Sequence, residues 1–191
     1  MKKVILYKSF LYDRRNLSAD ECIVYSYLVY SCISECSEAW DKDSGDFDDY
    51  SLKENGGMIE IPISLINIRN NSIHCSRIAE SLGVNKSTIS RALQKLETKD
   101  YIYSNEQRVL CDGIYDNGYF ELKMDSGLKG ELLIFYSWLL DLKKDKPAIY
   151  AKREKIASMY NKPLEYIRDY LQRLRKLGLI ERGKNLELII K

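Results

Sequence analysis

Ile23, Val24, Tyr27 and Leu28, with Val29 beside them, recur at the three- and four-residue spacing that gathers side chains on one face of an α-helix. Glu21 lies three residues after Ser18, a pattern in which each side chain satisfies the other's free amide. A helix is therefore predicted to open at Ser18 and to end near Glu35. Beyond an acidic, Gly-containing stretch, Met58-Ile59-Glu60-Ile61 alternates as a short strand does, and Pro62 ends its pairing. A short helix or turn is predicted from Ile63 to Arg69. Helical spacing then returns twice, at Ile78 and Leu82 and again at Ile89, Ala92, Leu93 and Leu96, with Gly83 between the runs. Strand-like segments follow at Tyr101–Tyr103, Arg108–Cys111 and Tyr119–Leu122, the last preceded by the turn sequence Asp116-Asn117-Gly118.

The middle of the chain carries the most specific pattern. Ala79 is small where two crossing helices touch, and Gly83, four residues on, suits the left-handed residue that ends the first helix. Ile78, Leu82, Val84 and Ile89 fill the space between the helices, and Asn85 is a suitable N-cap for the second. With these features Arg77 to Leu93 resembles a helix-turn-helix, and Lys86-Ser87-Thr88-Ile89-Ser90-Arg91 is similar to the recognition segment of the lactose-repressor class. The order helix, strand, helix, turn, helix, hairpin over residues 17–123 resembles the winged-helix family. In that family two strands joined by a turn-rich loop form the wing, and Met58 to Ile61 would add a third. The resemblance implies a second helix lying in the DNA major groove. Its outward face, Ser87, Ser90, Arg91, Gln94 and Thr98, offers hydroxyl, amide and guanidinium groups and no carboxylate, so it suits phosphates and base edges.

Arg77 to Ile102 aligns without a gap on Lys155 to Ile180, matching Ile78, Ala79, Ile89, Leu93, Gln94, Leu96 and Ile102 to Ile156, Ala157, Ile167, Leu171, Gln172, Leu174 and Ile180. Tyr25-Ser26-Tyr27-Leu28 likewise parallels Tyr136-Ser137-Trp138-Leu139. An internal repeat is the expectation, closed by a hairpin over Leu179 to Ile190. In this copy Asn161 stands in place of the turn Gly, Lys162 takes a usually apolar position, and Pro163 suits a first helical turn. Its outward face, Glu165, Arg168, Asp169, Gln172 and Lys176, includes two acids, which makes it the weaker base reader. Its flanks, Lys152, Arg153, Lys155, Arg173, Arg175 and Lys184, suit backbone phosphates.

With 45% apolar and 30% charged residues, 10 Gly and 3 Pro in 191, composition favours a helix-rich globular fold over disorder or a strand-rich sandwich. No apolar run approaches the length of a membrane span. Charge is unevenly distributed along the chain. Residues 37–60 hold eight acids against two lysines, a net of −6, whereas residues 143–191 hold fourteen Lys or Arg against six acids, a net of +8. A basic carboxy-terminal third favours a polyanionic partner. Five cysteines without a Cys-x-x-Cys fit free thiols in a reducing compartment. Catalytic chemistry finds no home. The acidic loop lacks the Gly and Glu of a calcium loop, and Cys32 and Cys36 lie on a predicted helix rather than in a zinc knuckle. The single His74 cannot make a metal-dependent nuclease site, and there is no phosphate-binding Gly-rich loop.

The expected fold is mainly α with small β-hairpins, an α+β architecture of two winged-helix domains in tandem. Residues 1–124 form the first, with an acidic insertion at 37–57, and residues 125–191 the second. The expected function is that of a sequence-specific double-stranded DNA-binding protein, not an enzyme, acting as a transcriptional regulator or as a plasmid or phage replication initiator in the cytoplasm. Arg91, Gln94, Ser87 and Ser90 are candidates for base contacts. Lys86, Lys95, Thr98, Arg108, Lys162, Arg168, Arg173, Lys176 and Lys184 are candidates for phosphate contacts. No cofactor, metal or membrane is expected, and a homodimer is left open. The alternative is a protein-interaction scaffold of a chromosome- or replication-associated complex.

Overall fold

The computed structural model describes residues 4–12, 17–35, 57–111, 118–144, 148–183 and 187–191. The proposed acidic insertion, apart from Gly57, and Lys184 lie outside these residues, as does the Asp116-Asn117 turn. The chain begins with a strand, β1 (Ile5–Tyr7), and one helical turn, α1 (Ser9–Tyr12), before the helix that organises the rest, α2 (Ala19–Glu35). Its predicted cap is present: Ser18 N donates to Glu21 Oε2 at 3.2 Å and Glu21 N donates to Ser18 Oγ at 3.4 Å. The burial of α2 goes beyond one stripe. Every residue from Glu21 to Val29 is buried, so neighbours must enclose this helix on several sides.

Those neighbours come from both halves of the chain. A three-stranded antiparallel sheet has the order β2 (Met58–Glu60), β6 (Arg108–Leu110), β5 (Ile102–Tyr103), with Ile59 and Ile102 both opposite Val109. The strand expected at Met58 thus pairs beside the hairpin, and the Tyr25 hydroxyl of α2 donates to Leu110 O of β6. The strand β7 (Tyr119–Glu121) does not join that sheet. It pairs with β1, Leu6 opposite Phe120. Val4-Ile5-Leu6-Tyr7 is entirely buried, and an unbroken apolar run carries no period by which to recognise a strand. The helix or turn expected at Ile63 to Arg69 is present only over its first three residues. A single tight turn, Ile63–Leu65, leads into a hairpin of β3 (Ile66–Asn67) and β4 (Ser72–Ile73), whose strands are too short to show alternation.

The helix pair α3 (Cys75–Leu82) and α4 (Lys86–Thr98) follows. Gly83 adopts φ 63°, and Val84 N donates to Ala79 O at 3.0 Å, the left-handed stop that allows α4 to turn back across α3. Ala79 is buried, as the close crossing requires. His74 caps α3 by accepting from Arg77 N through Nδ1 at 3.3 Å. Asn85 occupies the N-cap position of α4, but its side chain makes no capping hydrogen bond.

The same design recurs in α5 (Gly130–Lys143), α6 (Arg153–Tyr160), α7 (Leu164–Lys176), β8 (Ile180–Arg182) and β9 (Leu188–Ile190). Asn161 takes the Gly83 role at φ 53°, with Lys162 N donating to Ala157 O at 3.1 Å. Pro163 precedes α7 in an extended conformation rather than starting the helix. Ile149 bridges to Leu188 on β9, so a third strand position is echoed as well. Phe135, Trp138, Tyr160 and Tyr170 pack ring against ring in the centre of this unit. Helices α2 and α5 touch, and the buried side chains of both units form one continuous apolar core. The architecture is α+β, helices with small antiparallel sheets.

A Cβ at Gly83 would meet no atom within 4 Å, so Gly83→Ala exposes the conformational cost alone. Urea denaturation should show a loss of about 1–2 kcal/mol for Gly83→Ala, the price of holding an L-residue at positive φ. Asn161→Gly should change stability by less than about 1 kcal/mol, because Asn already tolerates this region.

Candidate nucleic-acid interface

Helix α4 divides cleanly between two environments. Ile89, Ala92, Leu93 and Leu96 are buried on the side that packs on α2 and α3, while Lys86, Ser87, Ser90, Arg91, Gln94, Lys95, Glu97 and Thr98 are exposed. The four residues expected to contact bases, Ser87, Ser90, Arg91 and Gln94, therefore share one accessible surface on a rigid backing. Arg91 Nε donates to Ser87 O at 3.2 Å, which holds the guanidinium along the helix. Thr98 Oγ1 donates to Gln94 O at 2.8 Å, so its proton serves the helix backbone rather than a phosphate.

Glu21 sets the electrostatics behind this face. Its side chain is 3% exposed, with Lys99 Nζ 2.6 Å from Oε2 and Lys95 Nζ 3.5 Å from Oε1. Burial pushes its pKa up, but the hydrogen bonds from Lys99 and Ser18 and the Lys99 charge outweigh this and hold the carboxyl below its ordinary value of 4.5. The pair ties the start of α2 to the end of α4. Lys95, expected to hold a phosphate, is thus already countered in part by Glu21, although its side chain remains 63% exposed. Sequence pattern marks Glu21 only as a capping residue, because both lysines reach it from a helix far along the chain.

The opposite wall of this surface is less favourable to anions. Asp20, Ser18 and Glu21 face Thr88, Arg91 and Lys95 across a shallow cleft of about 120 Å³, which brings an exposed carboxylate beside the expected reading face, and the exposed Glu97, two turns beyond Ser90 on the same side of α4, adds a carboxylate that the sequence reading of that face left out. Arg108, at the start of β6, lies 3.8 Å from Glu106 and opposite Glu60 on β2. Its charge too is shared. Among the described residues Lys86 makes no ion pair.

In the second unit Arg168 and Lys176 are exposed on α7 together with Glu165, Asp169 and Gln172, as expected. Arg173 lies 3.5 Å from Asp169, and Lys162 is half-buried at the α6–α7 turn. Arg153 and Arg175, expected as flanking grips, line a cleft between α6, α7 and the β8–β9 hairpin instead. Among the described residues no group of His, Cys, Asp or Glu is placed to hold a metal ion, and no helix is long and apolar enough to cross a membrane. Comparison with known proteins finds no matching family model, curated protein or solved structure.

The depressed pKa of Glu21 gives a signed prediction. Stability from a carboxylate held below its unfolded value is fully present above about 4.5 and is lost as pH falls through the lower folded value. Glu21→Gln should cost about 2 kcal/mol near neutral pH, the size of a lost charged hydrogen-bonding group. In urea titrations the gap between the parent and variant chains should close on acidification; a gap that widened in acid would reject the assignment.

Proposed function

We propose that the chain is a sequence-specific double-stranded DNA-binding protein made of two winged-helix units, with α4 as the recognition element in the major groove. The observation that carries this reading is the exposed face of Ser87, Ser90, Arg91 and Gln94, presented on a helix whose other side is locked into the core. Support comes also from the left-handed stop at Gly83 and from the strand order β2, β6, β5, which sets a hairpin beside that helix. A helix of 13 residues presenting donors in this way matches what a major groove admits. Arg91 is the leading base contact and guanine its expected partner, since a guanidinium pairs two ways with the O6 and N7 acceptors. Lys86 leads the phosphate contacts.

The role of the bound protein is either transcriptional regulation or initiation of plasmid or phage replication. A single-chain footprint on repeats in one orientation supports initiation, whereas a dimer on an inverted repeat supports regulation. One observation favours a protein-contact role for the second unit. Glu165 and Asp169 lie on the exposed face of α7, Asp169 counters Arg173, and the apolar Tyr166 in the first turn and Leu177 at the helix end are exposed as well.

On a duplex selected from a random pool, Arg91→Ala should lose about 1–3 kcal/mol while binding to unselected duplex changes little. Equal losses on both would reject base reading. Asp20→Asn, which removes the carboxylate across the cleft, should strengthen binding to both duplexes, measured by fluorescence anisotropy at several salt concentrations. A log–log salt slope of zero would transfer the whole chain to the scaffold reading.

A further inference from the structure

The cleft between α6, α7 and the β8–β9 hairpin has a volume of about 480 Å³, within the roughly 300–1,000 Å³ of small-molecule sites. Three guanidinium groups, Arg153, Arg175 and Arg182, converge on it. None of the three makes an ion pair among the described residues, and Arg175 Nε is buried without a hydrogen-bond partner. Burial, then the charges of Arg153 and Arg182, lower the pKa of Arg175, yet a guanidinium stays protonated in proteins. Lys152 adds a fourth cation to the lining and Glu154 and Glu187 bring two carboxylates, so the cleft keeps a net positive charge and an unsatisfied buried donor, both of which an anion would relieve.

The cluster is also not a by-product of the repeated fold. At the corresponding positions the first unit carries Cys75, Glu97 and Ser104, so the shared architecture needs no cation there. The rest of the cleft narrows the anion's identity. Its floor is apolar, with Ile156 and Leu171, and the ring of Tyr150, 69% exposed, stands at its edge. Glu187 lines it with Oε2 buried and unpartnered, an acceptor suited to hydroxyl donors. The Glu187 carboxylate lies over Gly183, where a Cβ would displace it.

We propose that this cleft binds a nucleoside monophosphate, its phosphate held by Arg153, Arg175 and Arg182, its sugar hydroxyls by Glu187 and its base against Tyr150. Arginine is suited to this task because its planar fork donates two bonds to one phosphate. The site is independent of the α4 face and stands whether or not that face reads DNA.

Calorimetric titration of the full chain with adenosine monophosphate, ribose 5-phosphate and inorganic phosphate tests it. The nucleotide should bind at least about tenfold more tightly than inorganic phosphate, a difference of about 1.4 kcal/mol. Arg182→Met, an exposed change on β8, should weaken all three ligands, as should Arg175→Met. The latter should leave the unliganded melting temperature unchanged or higher, because it removes an uncompensated charge. Tyr150→Ala should reduce the nucleotide to the level of ribose 5-phosphate and leave inorganic phosphate unaltered. Absence of binding at millimolar nucleotide would overturn the proposal, as would an Arg182→Met protein that binds it undiminished. Loss of duplex affinity in Arg182→Met, with no competition between nucleotide and duplex, would reassign the cleft to the DNA backbone.

Discussion

Over more than two turns, from Glu21 to Val29, helix α2 has no face toward solvent, and that enclosure dictates the arrangement around it. A helix in this condition cannot be stabilised by one partner. It takes α4 on one side, the β1 strand and the β2–β6 edge on others, and α5 from the second unit. Glu21 is the polar exception within this buried span whose charge must be matched, and the match comes from Lys99 and Lys95 at the far end of α4. The orientation of the exposed α4 face is therefore a by-product of how the core closes on α2.

Much of this was legible in the sequence because it depends on local chemistry. The Ser18–Glu21 cap, the glycine at 83, the asparagine at 161 and the apolar spacing of α3, α4, α6 and α7 act within a few residues of each other. The repeat exposed the second unit for the same reason. What escaped reading depends on distant partners. The β1–β7 pair joins segments far apart in the chain and has no period to betray it. The ion pairs of Glu21 and the carboxylate of Asp20 beside Arg91 need the packing of α2 on α4. Asn85 failed as a side-chain cap although its type and place fit, since propensity does not decide a rotamer.

The arginine cleft shows the same limit more sharply. Its three guanidiniums come from the start of one helix, the end of another and a strand after it, with no motif to connect them. Two of them were visible only as basic flanks, and Arg182 had no signal at all. The two units share a helix crossing and a hairpin but differ in charge: Glu97 in the first stands where the alignment puts Arg175 in the second. Similar backbones with unlike surfaces are free to serve different ligands, because function resides in side chains placed on a fold rather than in the fold.

Strand β1 has a consequence for how the chain is made. Leu6 is fully buried opposite Phe120, yet the ribosome releases the first segment long before the second exists. At about 5–20 residues per second, Val4 to Tyr7 must wait on the order of ten seconds for its partner. Throughout that interval a nascent polypeptide displays a short, sticky ribbon that chaperones or neighbouring chains can capture. The first unit is thus sealed late, by a segment synthesised just before the second begins.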